Sequence, residues 1–201
     1  MTDPATERLA DALSLAAHDF AEPLREVGGF AELLERRAEE RLTPDDEALL
    51  AHIRAGARRM DAMVAGLGDY VRAERVRLTV EAVVLGEGVP PVSGDRRLLA
   101  EMLERLVDNA RKFGAQQIEV SGRREGDCVV VEVADDGVGV PAGDEERVLR
   151  LFQRAHARDE YAGAGVGLTI AAAIAARHGG ALALERRDGA GTLVHMRLPA
   201  A

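Results

Sequence analysis

ADDGVGVP, residues 134–141, closes an apolar run with two carboxylates and then sets two glycines among small residues. Glycines so placed make a turn, or let backbone come close to a ligand. The run ahead of it, CVVVEV (128–133), has the length and composition of a buried strand, and the turn EGD (125–127) joins it to a second strand-like run, QIEVSGRR (117–124). Upstream, DRRLLAEMLERLVDNARKF (95–113) puts Leu98, Leu99, Met102, Leu103, Leu106, Ala110 and Phe113 on one helical face, with Asn109 and Lys112 near its edge. Before it, RLTVEAVVL (77–85) alternates as a strand does, and the Gly-Pro-rich turn GEGVPPVSGD (86–95) leads into the helix. Downstream lie a short helical piece, EERVLRLFQRAH (145–156), and YAGAGVGLTIAAAIAARHGG (161–180). The chain closes with ALALERR (181–187), the turn DGAG (188–191) and TLVHMRLP (192–199), which read as a terminal hairpin. The sum is an α/β sandwich, a sheet with helices on one face.

The glycine pattern recurs in GAGVGL, residues 163–168, directly before a helix, where N-terminal amides can meet phosphate. A dinucleotide fold of the parallel strand-helix-strand kind is excluded, because a helix and loop precede this stretch.

Residues 1–73 follow a different rule. Leu9, Leu13, Ala16, Phe20, Pro23, Val27, Phe30 and Leu34 step by four and three, and after RLTPDDE (41–47) the steps resume at Leu50, Ile53, Ala57, Met60, Val64, Leu67 and Val71. Thr43 can cap the second helix and Pro44 suits its first position. The spacing predicts an antiparallel helical hairpin whose seam is completed by a second copy, giving a dimeric four-helix bundle. On that seam His18 faces water. Asp19 follows it and can hold the imidazole, and Pro23 interrupts the helix nearby. The fold class is thus α+β, with a hairpin over 1–73 and a compact α/β sandwich over 77–201.

Composition sets bounds. A net charge of −9 argues against a partner with a phosphodiester backbone, so no nucleic acid is expected. No apolar run approaches a membrane span and the start lacks a signal-peptide layout, so a cytoplasmic protein is expected. The single cysteine, Cys128, lies in a strand-like run and is read as packing.

In order, NARKF, DDGVG, FQR and GAGVGL resemble the N, G1, F and G2 boxes of the histidine-kinase ATP-binding domain, the fold shared with DNA gyrase B, Hsp90 and MutL. GAG (189–191) matches a later glycine turn of that family, and HDxxEPLR, from His18 to Arg25, resembles the phosphoacceptor motif of its phytochrome-related branch. The resemblance runs from about Leu13 to Pro199. It implies a histidine autokinase of a two-component system, with ATP and Mg²⁺ as cofactors. By resemblance, His18 takes the γ-phosphoryl group with Asp19 orienting it, and Asn109 ligates Mg²⁺. Lys112 and Arg154 contact phosphate, and Asp135 accepts a hydrogen bond from the adenine amino group. Gly137 and Gly139 let backbone lie against the nucleotide, and Gly163, Gly165 and Gly167 hinge a lid and offer amides to phosphate. The implied partners are a second copy and a response regulator receiver domain; only about seventeen residues precede His18, too few for a sensory module, so either input arrives through a separate sensor protein or the chain is a fragment.

Three departures are visible. Arg105 stands where the family often has asparagine, Glu22 stands where relatives often carry Thr or Asn, and the stretch from Tyr70 to Asp95 is short, which predicts two main helices on the sheet instead of three. Glu22 would repel an acidic aspartyl-phosphate site, so phosphatase activity by that route is expected to be weak. Two other readings stand beside the kinase: a dimeric histidine phosphotransferase with a non-functional ATP site, and a regulator that only binds a partner, as anti-sigma factors of related fold do.

Overall fold

The computed structural model describes residues 4–38, 42–157, 161, 163–187 and 189–201, without the side chains of residues 4–10. Arg41 of RLTPDDE, Ala162 and Asp188 of the DGAG turn therefore lie outside the described residues, as does the side chain of Leu9 of the predicted seam. The chain divides into two compact units, Met1–Val71 and Arg72–Ala201.

The first unit holds α1 (Pro4–Ala38) and most of α2 (Pro44–Arg75). At the start of α2, Thr43 Oγ1 accepts from the Asp46 amide at 3.3 Å, while Asp46 Oδ2 accepts from the Thr43 amide at 3.0 Å. This reciprocal capping box fixes where α2 begins. The helices meet antiparallel: Glu35 pairs with Arg54, and a Cβ on Gly28 would sit 3.8 Å from the Ala57 Cβ. The α1 face turned inward carries Ala17, Ala21, Leu24, Gly28, Ala31, Glu35 and Ala38, one position over from the large apolar seam. Small residues let the two backbones approach. The large ones stay outside: Phe20, Val27, Phe30 and Leu34 on α1 and Ile53 and Met60 on α2 are all exposed.

The second unit opens with the last turn of α2. A two-stranded antiparallel sheet of β1 (Val80–Val83) and β2 (Val92–Asp95) precedes α3 (Arg96–Lys112). Where the sequence suggested only a turn before α3, β2 forms because its backbone pairs with β1 and its side chains are buried, Val92 completely. Asp95 then caps α3, its Oδ1 accepting from the Leu98 amide at 3.1 Å, and its other oxygen accepts from the Thr79 amide. The buried His178 accepts from the Asp95 amide through Nε2 and is held at Nδ1 by the Ile174 carbonyl, which ties α3's start to the end of α4 (Gly167–Arg177).

The main sheet has four antiparallel strands, β3 (Ile118–Glu125), β4 (Cys128–Asp135), β5 (Ala181–Arg186) and β6 (Thr192–Pro199), in the order β3-β4-β6-β5. Register alternation sorts the faces. Val129, Val131 and Val133 pair with Leu198, Met196 and Val194 on the side packed under α3 and α4. The opposite side carries Glu132, which pairs with Arg123 and lies 3.2 Å from His195 Nδ1. Among the described residues α3 and α4 are the two helices on the sheet, as the short Tyr70–Asp95 stretch predicts. The expected helical piece at 145–156 shrinks to one 3₁₀ turn, Arg147–Leu149, beyond which the chain takes up loop conformation.

Candidate functional site

The C-terminal half of α3, the β4–β6 end of the sheet and the loop before α4 enclose a cavity of about 270 Å³. Of the residues singled out from sequence, Asn109, Lys112, Asp135, Gly139, Arg154, Gly163, Gly165 and Gly167 line it. His18 and Asp19 belong to the other unit, where both are exposed on α1.

Asp135, 7% exposed, ends β4 at the cavity floor. Its Oδ1 accepts from the Gly137 amide at 2.9 Å and the Thr192 amide at 3.2 Å. Its Oδ2 has no hydrogen-bond partner among the described residues, which leaves one acceptor available to a ligand. The next carboxylate has another duty: Asp136 Oδ1 accepts from the Gln116 and Gln117 amides, which hold it below the usual carboxylate pKa. The DD pair therefore divides into one residue for the cavity and one for the chain turn entering β3.

Gly137 does not line the cavity. It supports Asp135, and the neighbouring Val138 amide donates to the Phe113 carbonyl at 3.1 Å. The tightest contact comes from Gly191, which has φ 99° and where a Cβ would stand 1.9 Å from the Asp135 carbonyl oxygen. A turn this close to Asp135 requires glycine.

On α3, Asn109 presents a side-chain amide that takes no hydrogen bond among the described residues. Lys112 is exposed as a whole side chain, yet its ammonium is crowded: it lies 4.9 Å from the centre of the Phe113 ring, and a Cβ on Gly163 would come within 2.6 Å of Nζ. That desolvation, and after it the Arg154 charge, hold Lys112 below the ordinary lysine pKa. Arg154 is differently occupied. It donates to the Gly163 carbonyl at 2.7 Å and to the Tyr161 carbonyl, and so braces the glycine loop from inside. Phe152 just before it holds φ 63°, with its amide bonded to the Gly165 carbonyl at 3.0 Å, a strained conformation of the kind that collects at functional sites.

Sequence reasoning gave no role to His156, Tyr161, Thr192 or Arg187. His156 Nε2 donates to the Gly139 carbonyl at 2.8 Å, and its ring leans on Phe113 and Tyr161 at centroid distances of 5.3 and 5.6 Å. Arg187 donates to the Asp135 carbonyl at 2.9 Å. Their one sequence signal is position beside the glycine motifs. An acceptor at the floor, crowded cations on the wall and helix amides at the α4 N-terminus together suit a ligand with a base at one end and phosphates at the other.

Residues 94–201 match the family of histidine kinase-, DNA gyrase B-, and HSP90-like ATPases. Phytochrome-like protein Cph1 of Synechocystis sp. is 28% identical over 92% of this chain and 28% of its own length. Histidine protein kinase DivJ of Caulobacter vibrioides is 38% identical over 64% of this chain and 23% of its own length. The chain thus spans only about a quarter of these relatives. Full-length ShkA, solved with AMPPNP, has a TM-score of 0.64 at 23% identity over 95% of this chain and 46% of that one. At that identity the likeness is one of fold.

Proposed function

The chain belongs to the histidine kinase-, DNA gyrase B-, and HSP90-like ATPases, and we propose that it binds ATP in this cavity, phosphorylates itself on His18 and passes the phosphoryl group to an aspartate of a response regulator. The observation that carries the reading is Asp135: buried, fixed through one oxygen by two backbone amides, with the other oxygen available to an amino group on a base. Adenine presents such a group where guanine presents a carbonyl. The 92% coverage shared with a phytochrome-like relative, which takes in the His18 segment, supports placing acceptor and ATP site in one enzyme.

The residues present suit Mg²⁺ carried by the nucleotide. Among the described residues no cluster of His, Cys, Asp and Glu could hold a metal alone, whereas Asn109 offers a neutral oxygen to an ion that brings phosphate ligands with it. When bound, the ion would offset charge on the triphosphate. The side chains do the rest. Lys112, near the glycine loop, neutralises phosphate. The exposed His18, neutral with its proton on Nδ1, attacks the γ-phosphorus through the Nε2 lone pair. The bond from γ-phosphorus to the bridging oxygen breaks, ADP leaves with that electron pair, and Asp19 takes up the Nδ1 proton. The P–N bond formed is a good donor to a receiver aspartate. An exposed acceptor serves both reactions, since two partners must reach it in turn.

We extend the proposal to a homodimer joined through the exposed Phe20, Val27, Phe30 and Leu34 face, located in the cytoplasm. The test is incubation with γ-labelled ATP and Mg²⁺. Acid-labile label is expected on the wild type and absent from His18→Gln and Asn109→Ala. Label persisting on His18→Gln would overturn the assignment of the acceptor. An unlabelled wild type that still accepts phosphate on His18 from a phosphorylated regulator would make the protein a phosphotransferase instead.

A further inference from the structure

Arg154 lines the cavity, yet its guanidinium is engaged with main-chain carbonyls of the loop that leads to α4. Nη1 donates to the Gly163 carbonyl at 2.7 Å, and Nη2 donates to the Tyr161 carbonyl and, at 3.4 Å, to the Ala157 carbonyl. The loop also packs on the stem of this side chain, where a Cβ on Gly165 would stand 3.0 Å from Arg154 Cγ. A second tie lies beside the first, since the Phe152 amide donates to the Gly165 carbonyl at 3.0 Å. In a trans peptide the carbonyl and the amide of the next residue point in opposite directions. Fixing the Gly163 and Gly165 carbonyls on residues 152–154 therefore turns the Ala164 and Val166 amides away from that segment. Both residues line the cavity, and neither amide donates to an acceptor among the described residues.

We infer that Arg154 is a positioning residue of the nucleotide site: it gathers the loop carbonyls so that the loop amides meet the phosphates, and it does not itself bind the γ-phosphate. The chemistry favours this over a direct contact. A guanidinium is a planar fork whose donors diverge in fixed directions, so carbonyls held by both terminal nitrogens fix its plane. To reach a phosphate it would have to release them, and the loop would lose the bonds that shape it. Positive charge for the triphosphate comes instead from Lys112, whose ammonium lies beside Gly163. Lysine at position 154 would carry the charge but, as a point donor on a flexible stem, could not span the Gly163 and Tyr161 carbonyls as the fork does. Amides presented by the loop serve any phosphate that reaches them, not the terminal one alone. Arg154 therefore acts on ATP and ADP alike and is indifferent to adenosine.

The inference rests on the reading of the cavity as an ATP site, and the experiment separates the two. Dissociation constants for ATP, ADP and adenosine are measured by calorimetry with Mg²⁺ on the wild-type chain, Arg154→Met and Arg154→Lys, and hydrogen exchange of the Phe152 amide is followed in the same proteins without nucleotide. Arg154→Met is expected to weaken ATP and ADP by about ten-fold each and to leave adenosine unchanged, since the Asp135 end of the cavity does not depend on the loop. Arg154→Lys recovers little of the loss. The Phe152 amide exchanges faster in both variants, because its acceptor on Gly165 is no longer held in place. Loss of ATP affinity with ADP spared, or a lysine variant restored to wild-type affinity, overturns the inference and makes Arg154 a phosphate ligand. Unchanged ATP and ADP affinity in Arg154→Met, adenosine weakened along with them, or unchanged exchange overturns it as well. Wild type that binds none of the three ligands overturns the ATP-site reading, and the exchange rates then still decide whether Arg154 holds the loop.

Discussion

Asp135 separates folding from recognition within one carboxylate. Asn at this position can still accept from the Gly137 and Thr192 amides through its oxygen, but it turns a donor toward the ligand where Oδ2 now stands. Asp135→Asn is therefore expected to melt within a few degrees of wild type while ATP affinity falls by at least about ten-fold, as one lost hydrogen bond and a donor facing a donor require. Calorimetry beside thermal denaturation checks it, and unchanged ATP affinity would remove Asp135 from the site. Gly191 gives the opposite case, stability without ligand contact. An alanine there must hold φ 99° and place its Cβ 1.9 Å from the Asp135 carbonyl, so the turn has to move. The conformation alone costs about 1–3 kcal/mol, readable as a lower urea midpoint, and ATP binding suffers with it. At this scale the resemblance carried by the ordered motifs singled out Asn109, Lys112 and Asp135, which the fold brings to one cavity. The sequence was silent on His156 and Tyr161, because only the folded loop brings those rings to Phe113.

Elements were legible where period and caps agree. Asp95 and the Leu98–Ala110 face announce α3, and Thr43-Pro44 announces α2; the structure has both. Strand β2 was missed because Ser93, Gly94 and Asp95 have low strand propensity and are held by pairing with β1 and packing against His178 and Leu99. The 145–156 piece carries helical periodicity, but the loop is organised by hydrogen bonds from Phe152 and Arg154, which override it. The capping box of α2 also predicts a pH response. Hydrogen bonds from Thr43, the side chain first and the amide second, lower the Asp46 pKa in the folded state. Stability from Asp46 is therefore present above the carboxylate's unfolded pKa and is lost as pH falls through the lower, folded value. Thr43→Ala removes one half of the box and should cost about 1 kcal/mol, with a flatter dependence of melting temperature on pH below the ordinary carboxylate pKa than wild type. Parallel curves for the two proteins would mean the box contributes nothing to α2.

For the whole molecule, the first unit is incomplete in a specific way. Its internal seam is satisfied mostly by small side chains, Ala17, Gly28, Ala31 and Ala57, with Leu50 and Val71 the large residues buried there, so the hairpin gains close helix contact but limited buried apolar area. The larger side chains form a second seam facing solvent, with Phe20 59%, Phe30 69%, Leu34 54% and Ile53 48% exposed. Single exposed apolar residues need no explanation, but a heptad-spaced row on two antiparallel helices does. Of the row read from sequence, Phe20, Val27, Phe30, Leu34, Ile53 and Met60 lie outside while Leu50, Ala57 and Val71 lie inside; the inner face of α1 was hidden, since alanines are common everywhere in the chain. A two-fold copy laid on the row would cover it and make four helices from two, whereas a different protein would have to reproduce the same spacing. Among the described residues no helix is long and apolar enough to cross a membrane, so a lipid bilayer spanned by α1 or α2 is not what covers the row. Phe30→Glu, which alters the outer seam and leaves Gly28 and Ala31 in place, should therefore sediment as a monomer at micromolar concentration and keep its helical circular dichroism. Gly28→Leu should instead lose helix content, because it forces the hairpin apart. A wild-type chain that sediments as a monomer, or a Phe30→Glu variant that remains a dimer, would show that the row meets some other surface and that the four-helix bundle is the wrong completion.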